Sequence, residues 1–237
     1  MDIAFSLIGL ITFSPLLIMA VILVWLQDFK TPFYIASRVG IKGKIFKMVK
    51  IRTMVVNADK SEVDTTSVDD MRITPTGKLI RKIKLDELIQ LWNVLIGDMS
   101  LVGPRPQVER DVNIYTEVEQ QLLNARPGIT DFSSIVFSDE GEIVSGSKDP
   151  DLCYNQMIRP WKSRLGIFYI EKSSTIIDIL IILLTILSIF SKKYACLSIS
   201  WLIKKLGASV ELVLIAQREI ELYPTPPPGA VNIVTKR

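Results

Sequence analysis

The sequence predicts a mostly helical α/β domain that meets a membrane, and three observations carry that expectation. Apolar residues crowd into residues 3–26 and 176–190, which lifts the mean hydropathy above zero although 22% of the 237 residues are charged. Leu85, Leu88, Ile89, Trp92 and Leu95 recur at helical spacing. Phe46 to Arg52 alternates as a strand does, with Phe46, Met48, Lys50 and Arg52 on one side. The length suits one domain with a genuine core.

The first element, Ile3 to Leu26, carries no charge. A helix of that length just spans a hydrocarbon core of ~30 Å. No basic segment precedes it and no small-residue cleavage site follows, so a signal peptide fits poorly. Ser14-Pro15 interrupts its middle, and proline removes a backbone hydrogen bond and kinks a helix. Two outcomes stay open, a bent crossing or a helix that dips in and returns to the same face. Lys42, Lys44, Lys47, Lys50 and Arg52 follow with no acid between them, marking this segment as cytoplasmic and suited to anionic headgroups or phosphates, or simply to water. By the charge rule alone, a crossing with the N-terminus outside is favoured.

Val55 to Pro75 is polar and reads as a surface loop. Lys78 to Pro106 is the chemically dense stretch. Arg81, Lys82 and Lys84 precede the adjacent carboxylates Asp86 and Glu87, and the stretch closes on Gly103-Pro104-Arg105-Pro106. The carboxylates fall in the first turn of the Leu85–Leu95 helix, where in most proteins they serve only the helix dipole. The neighbouring cations, and an arginine in a loop stiffened by two prolines, point instead to phosphate. Gln107 to Ala125 has the pattern of a second amphipathic helix, stopped by Arg126-Pro127-Gly128. Asp131 to Pro150 reads as loop and short strand, and Leu152 to Glu171 as helix. Ser174 to Phe190 is a helix short for a crossing and suited to lying in the interface. Leu197 to Leu206 is a further amphipathic piece, and the proline-rich end around Tyr223–Pro228 is expected to be disordered.

Two cysteines and no histidine exclude a disulfide framework, a zinc signature and Ser-His or Cys-His nucleophile pairs. Catalysis therefore falls to carboxylates, lysines, hydroxyls or a metal. A carboxylate attacking a phosphoryl centre gives a reactive acyl phosphate, and such chemistry calls for Mg²⁺ held by one or two carboxylates and the substrate phosphates. Asp86 as nucleophile with Glu87 as metal ligand meets that need.

The ordered matches resemble the bacterial monotopic phosphoglycosyl transferases over roughly residues 1–190. They are Ser14-Pro15, Arg38-Val39-Gly40, Lys50-Ile51-Arg52-Thr53-Met54, Arg72 to Gly77, Ile80-Arg81, Leu85-Asp86-Glu87-Leu88, Asn93-Val94-Leu95, Gly97-Asp98-Met99-Ser100, Gly103 to Pro106, and Arg126 to Thr130. The resemblance implies a compact body at the membrane surface, with interfacial helices and an N-terminal helix broken at Ser14-Pro15 that re-enters on the cytoplasmic face of the bacterial inner membrane. This overrides the crossing that charge favours. It implies transfer of sugar 1-phosphate from a UDP-sugar to a polyprenyl (undecaprenyl) phosphate with release of UMP. Asp86 would be the nucleophile, Glu87 the Mg²⁺ ligand, and Arg81 and Arg105 phosphate binders, with Lys50 near the site and Arg52 grouped with it as substrate-binding.

The implied units are the re-entrant helix over 1–29, the catalytic domain over 30–190 and a tail of unassigned role over 191–237. Membrane lipids are expected partners and nucleic acid is not; a second copy or later glycosyltransferases are compatible. Three departures from the family pattern stand out. The chain starts at Met1-Asp2 without the usual basic pair, which leaves two readings open, a start that lies upstream or a pared-down anchor. Ile89 stands where proline is common, which should lengthen the helix, and the loop after Thr130 is unusual, which leaves the sugar open. The alternatives are a non-catalytic membrane scaffold for glycan assembly and a transporter subunit; substrate-dependent UMP release would count against both.

Overall fold

The structure, a computed structural model, describes residues 1–58 and 65–235. Helix α1 (Asp2–Asp28) runs unbroken through Pro15. The Ser14 hydroxyl donates to the Ile11 carbonyl at 2.7 Å, the acceptor that Pro15, lacking an N–H, leaves open. The helix buries only a narrow strip, Ser6, Leu17, Ala20 and Val24, and exposes Ile3, Phe5, Ile8, Ile11, Ile18 and Ile22 among others. Both ends are held to the rest of the chain. Asp2 accepts from the Ser100 hydroxyl at 2.8 Å, and the Asp28 carboxylate takes both terminal nitrogens of Arg52 at 2.6 Å.

Strands β1 (Phe33–Val39) and β2 (Ile45–Ile51) form an antiparallel hairpin in which Tyr34 faces Lys50 and Val39 faces Ile45. Ala36, Phe46 and Met48 point to the core. Thr74 caps α2 (Pro75–Lys82), with Pro75 at the position where a missing N–H costs nothing. Gly77 presses on the Thr53 carbonyl so closely that a Cβ would lie 2.0 Å from its oxygen.

The single helix expected from Leu85 is instead two short ones, α3 (Leu85–Leu88) and α4 (Leu91–Leu95), joined by tight turns in which Gln90 N–H donates to Glu87 and Trp92 N–H to Ile89. Ile89 therefore does not lengthen a regular helix. The reason is Asn93, fully buried, whose side chain accepts from Val49 N–H at 3.0 Å and donates to the Lys47 carbonyl at 2.8 Å. Asn93, which lies off the apolar stripe, thus turns inward against β2, and Trp92 of the stripe is left half exposed.

Strand β3 (Ser100–Val102) pairs in parallel with β4 (Gly128–Thr130). Between them lie α5 (Glu109–Val112) and a 3₁₀ segment, Glu119–Asn124, in place of the long helix predicted over Gln107–Ala125. A reciprocal Thr116–Glu119 box caps the start of the 3₁₀ segment, and buried Glu119 is taken by Arg159 and Ser163. The Asp131–Pro150 region, predicted as loop and short strand, holds α6 (Phe132–Val136), capped by Asp131, and α7 (Glu140–Ile143).

Next come α8 (Pro150–Cys153), a π turn, α9 (Arg159–Lys172) and α10 (Thr175–Phe190), then α11 (Lys192–Lys205) and α12 (Val210–Gln217). One core joins Phe46 and Met48 to Phe132, Trp161 and Leu165, and continues through Ile199, Ile203 and Ile215. Residues 191–217 thus belong to the same core. The proline-rich end, expected to be disordered, is docked. Thr225 N–H donates to the Gln156 carbonyl, Arg164 to that of Pro226, and Thr116 to that of Pro228.

Candidate active site

Three elements converge on Glu87. β2 carries Lys50 on the face of Phe46 and Met48, and the Lys50 ammonium donates to Glu87 Oε1 at 2.9 Å. The Gly103–Pro106 loop brings Arg105 to the same oxygen. Its path is fixed by backbone contact, since a Cβ at Gly128 would lie 2.1 Å from Gly103 N. The first turn of α3 supplies the two carboxylates; its entry residue, Lys84, is left-handed at φ 54°.

Asp86 differs from its neighbour. It is 8% exposed, and its carboxylate makes no hydrogen bond or ion pair among the described residues. Burial raises its pKa, opposed first by the charge of Lys50. Glu87 is held well below the ordinary range by Arg105 and Lys50, which outweigh its own burial. Arg105 is raised in return by Glu87. Arg81 donates to the Thr53 hydroxyl at 2.8 Å, and its field reaches Asp86. Burial lowers both Arg81 and Lys84. Four cations, Lys50, Arg81, Lys84 and Arg105, thus lie around two carboxylates, one paired through a single oxygen and the other unpaired among the described residues.

Of the predicted site residues, the fold brings Lys50, Arg81, Asp86, Glu87 and Arg105 together. Arg52 is placed elsewhere, buried against Asp28 and the Thr31 carbonyl. Lys42, Lys44 and Lys47 stay exposed on the hairpin. Ser14 and Pro15 lie in mid-α1. Two residues that no motif signalled adjoin the site: Glu140 of α7, ion-paired with Lys162 of α9, feels the charges of both Arg105 and Glu87.

Among the described residues no group of three or more His, Cys, Asp or Glu side chains clusters for a metal. The donors here are all carboxylate oxygens, and among the described residues Glu87 Oε2 and both oxygens of Asp86 are unengaged. That set fits Mg²⁺, which takes one or two carboxylates when substrate phosphates complete its shell.

Comparison with known proteins places this geometry in context. The family described as Bacterial sugar transferase matches residues 1–192. The chain is 31% identical to the UDP-N-acetylgalactosamine-undecaprenyl-phosphate N-acetylgalactosaminephosphotransferase of Aeromonas hydrophila, over 81% of this chain and 43% of that one. It is 38% identical to the exopolysaccharide production protein ExoY of Sinorhizobium fredii, over 54% of this chain and 64% of ExoY. It is 41% identical to the undecaprenyl-phosphate galactose phosphotransferase of Salmonella typhimurium, over 54% of this chain and 30% of that protein. In each case less than two thirds of the relative's length is covered.

Proposed function

The chain belongs to the bacterial sugar transferase family, and from that premise we propose that it is a membrane phosphoglycosyl transferase. It moves sugar 1-phosphate from a UDP-sugar to undecaprenyl phosphate and so begins a surface glycan. The observation that carries the reading is the buried carboxylate of Asp86, unpaired among the described residues inside a ring of cations, beside a Glu87 held by Lys50 and Arg105.

In this reading one Asp86 oxygen attacks the phosphorus that bears the sugar. The bond from that phosphorus to the bridging oxygen breaks, and UMP leaves with the electron pair. The sugar phosphate rests on Asp86 as an acyl phosphate. A phosphate oxygen of the polyprenyl acceptor then attacks the same phosphorus, and the Asp86 carboxylate departs unchanged. The acceptor arrives ionised, so a chain without histidine needs no strong general base. Arg81 and Arg105 orient the phosphates, and Lys50 favours the reactive anion of Asp86. Glu87 would hold Mg²⁺, which when bound supplies neutralisation of the diphosphate.

The same proposal sets α1 in the membrane as a re-entrant element on the cytoplasmic face. It is long enough to cross at about 1.5 Å per residue. What supports dipping is that Asp2 at one end and Asp28 at the other are bonded to the same body, while the apolar flank between them is exposed. Helix α10 exposes apolar residues of its own, Ile176, Leu183, Ile186 and Phe190, which suit the interface.

A screen of UDP-sugars with undecaprenyl phosphate and Mg²⁺ tests the activity. UMP release from at least one sugar is expected. Membrane binding with no release from any would make the chain a scaffold instead.

A further inference from the structure

A cleft runs from Arg105 past Ser133, Tyr154 and Lys162. Lys162 is ion-paired with Glu140, and its side chain is only 9% exposed. Its ammonium sits 5.4 Å over the Tyr154 ring. Resting on the transferase reading above, we propose that Lys162, Glu140 and Tyr154 form the subsite for the hydroxyl groups of the donor sugar and set which sugar is accepted.

The balanced charges of the Lys162–Glu140 pair argue for a neutral, polyhydroxylated group beside it. Around Asp86 and Glu87, Lys50, Arg81, Lys84 and Arg105 leave a net positive field, which suits phosphate. Lys162 and Glu140 cancel each other, leaving a donor and an acceptor side by side with no net charge. A hydroxyl can use both, accepting from the ammonium and donating to the carboxylate. The Tyr154 ring adds a flat apolar wall of the kind small-molecule sites combine with a few placed polar groups. Arg105 and Lys162 line the same cleft, so the subsite adjoins the arginine that binds phosphate in the transferase reading, where the sugar must lie.

The test measures kcat/KM for UMP release over a panel of UDP-sugars with the wild type, Lys162→Met, Glu140→Gln and Tyr154→Phe. UMP is run as a competitive inhibitor of each. Glu140 is the more exposed partner of the pair, so Glu140→Gln guards against misfolding of the lysine variant. The preference of the wild type for its best sugar over that sugar's epimers is expected to fall on the order of tenfold in Glu140→Gln and Lys162→Met, with UMP inhibition unchanged. An equal loss for every sugar, or an unaltered preference, overturns the subsite while leaving the transferase intact. A wild type that releases UMP from no sugar overturns the transferase reading and the subsite with it.

Discussion

Glu87 accepts two charge-assisted hydrogen bonds through one oxygen, from Lys50 and Arg105, whereas Asp86, the residue before it, accepts none among the described residues. The two carboxylates are adjacent in sequence and opposite in environment. Glu87 is held in its ionised form by two cations, and Asp86 is buried without a partner among the described residues, which suits them, under the proposed transfer, to the separate roles of holder and reactant.

The division has a pH signature. Burial raises the pKa of Asp86, and Lys50 is the strongest influence against that rise. In the proposed mechanism ionised Asp86 is the reactive form, so kcat/KM is expected to fall as pH drops through the raised value. Lys50→Met removes a charge that favours the anion and moves this acid limb to higher pH. Glu87, held well below its ordinary value, adds no limb in the same range. A pH profile whose acid limb stays in place or moves down in Lys50→Met contradicts the assignment.

Glu87→Gln keeps the shape of the side chain and removes its charge. Activity is expected to fall on the order of 10²-fold, and the Mg²⁺ concentration giving half-maximal rate to rise. Metal titrations of the two proteins check this. An unchanged Mg²⁺ dependence would take Glu87 out of the metal shell.

Much of this site was legible in the sequence, because its parts lie in short runs with local rules. The Leu85-Asp86-Glu87 start of a helix, the proline-stiffened Arg105 loop and the alternation that aims Lys50 inward each depend on neighbours within a few residues. What was not legible depends on distant partners. Glu140 and Lys162 meet across 22 residues of sequence, which no local pattern foretells. The helix expected over Gln107–Ala125 yields to Glu119, whose bonds to Arg159 and Ser163 override local periodicity. Asn93 reverses the exposure of Trp92 by serving the edge of β2. The proline-rich end is ordered by side chains from residues 116, 156 and 164, which its composition could not announce.

The Glu119–Arg159 pair makes a prediction about stability. Glu119 has no exposed surface and Arg159 is 5% exposed. Removing one buried partner strands the other, so Glu119→Ala is expected to cost about 3–5 kcal/mol, measured by denaturant unfolding in detergent. A loss under about 1 kcal/mol, the range of an exposed pair, would contradict the buried network.

Single cysteines placed at Met1 and Lys30, in a chain with Cys153 and Cys196 replaced by serine, report on α1. A membrane-impermeant thiol reagent is expected to reach both from the cytoplasmic side only. Labelling of the two positions from opposite sides would make α1 a crossing helix.

The most direct measurement of the central claim is a single turnover with a UDP-sugar labelled in the phosphate next to the sugar, without polyprenyl phosphate. The wild type is expected to release UMP and retain the label on the peptide containing Asp86, to surrender it when undecaprenyl phosphate is added, and Asp86→Asn to retain none. Equal labelling of Asp86→Asn, or UMP release that requires the acceptor and leaves the wild type unlabelled, would contradict it.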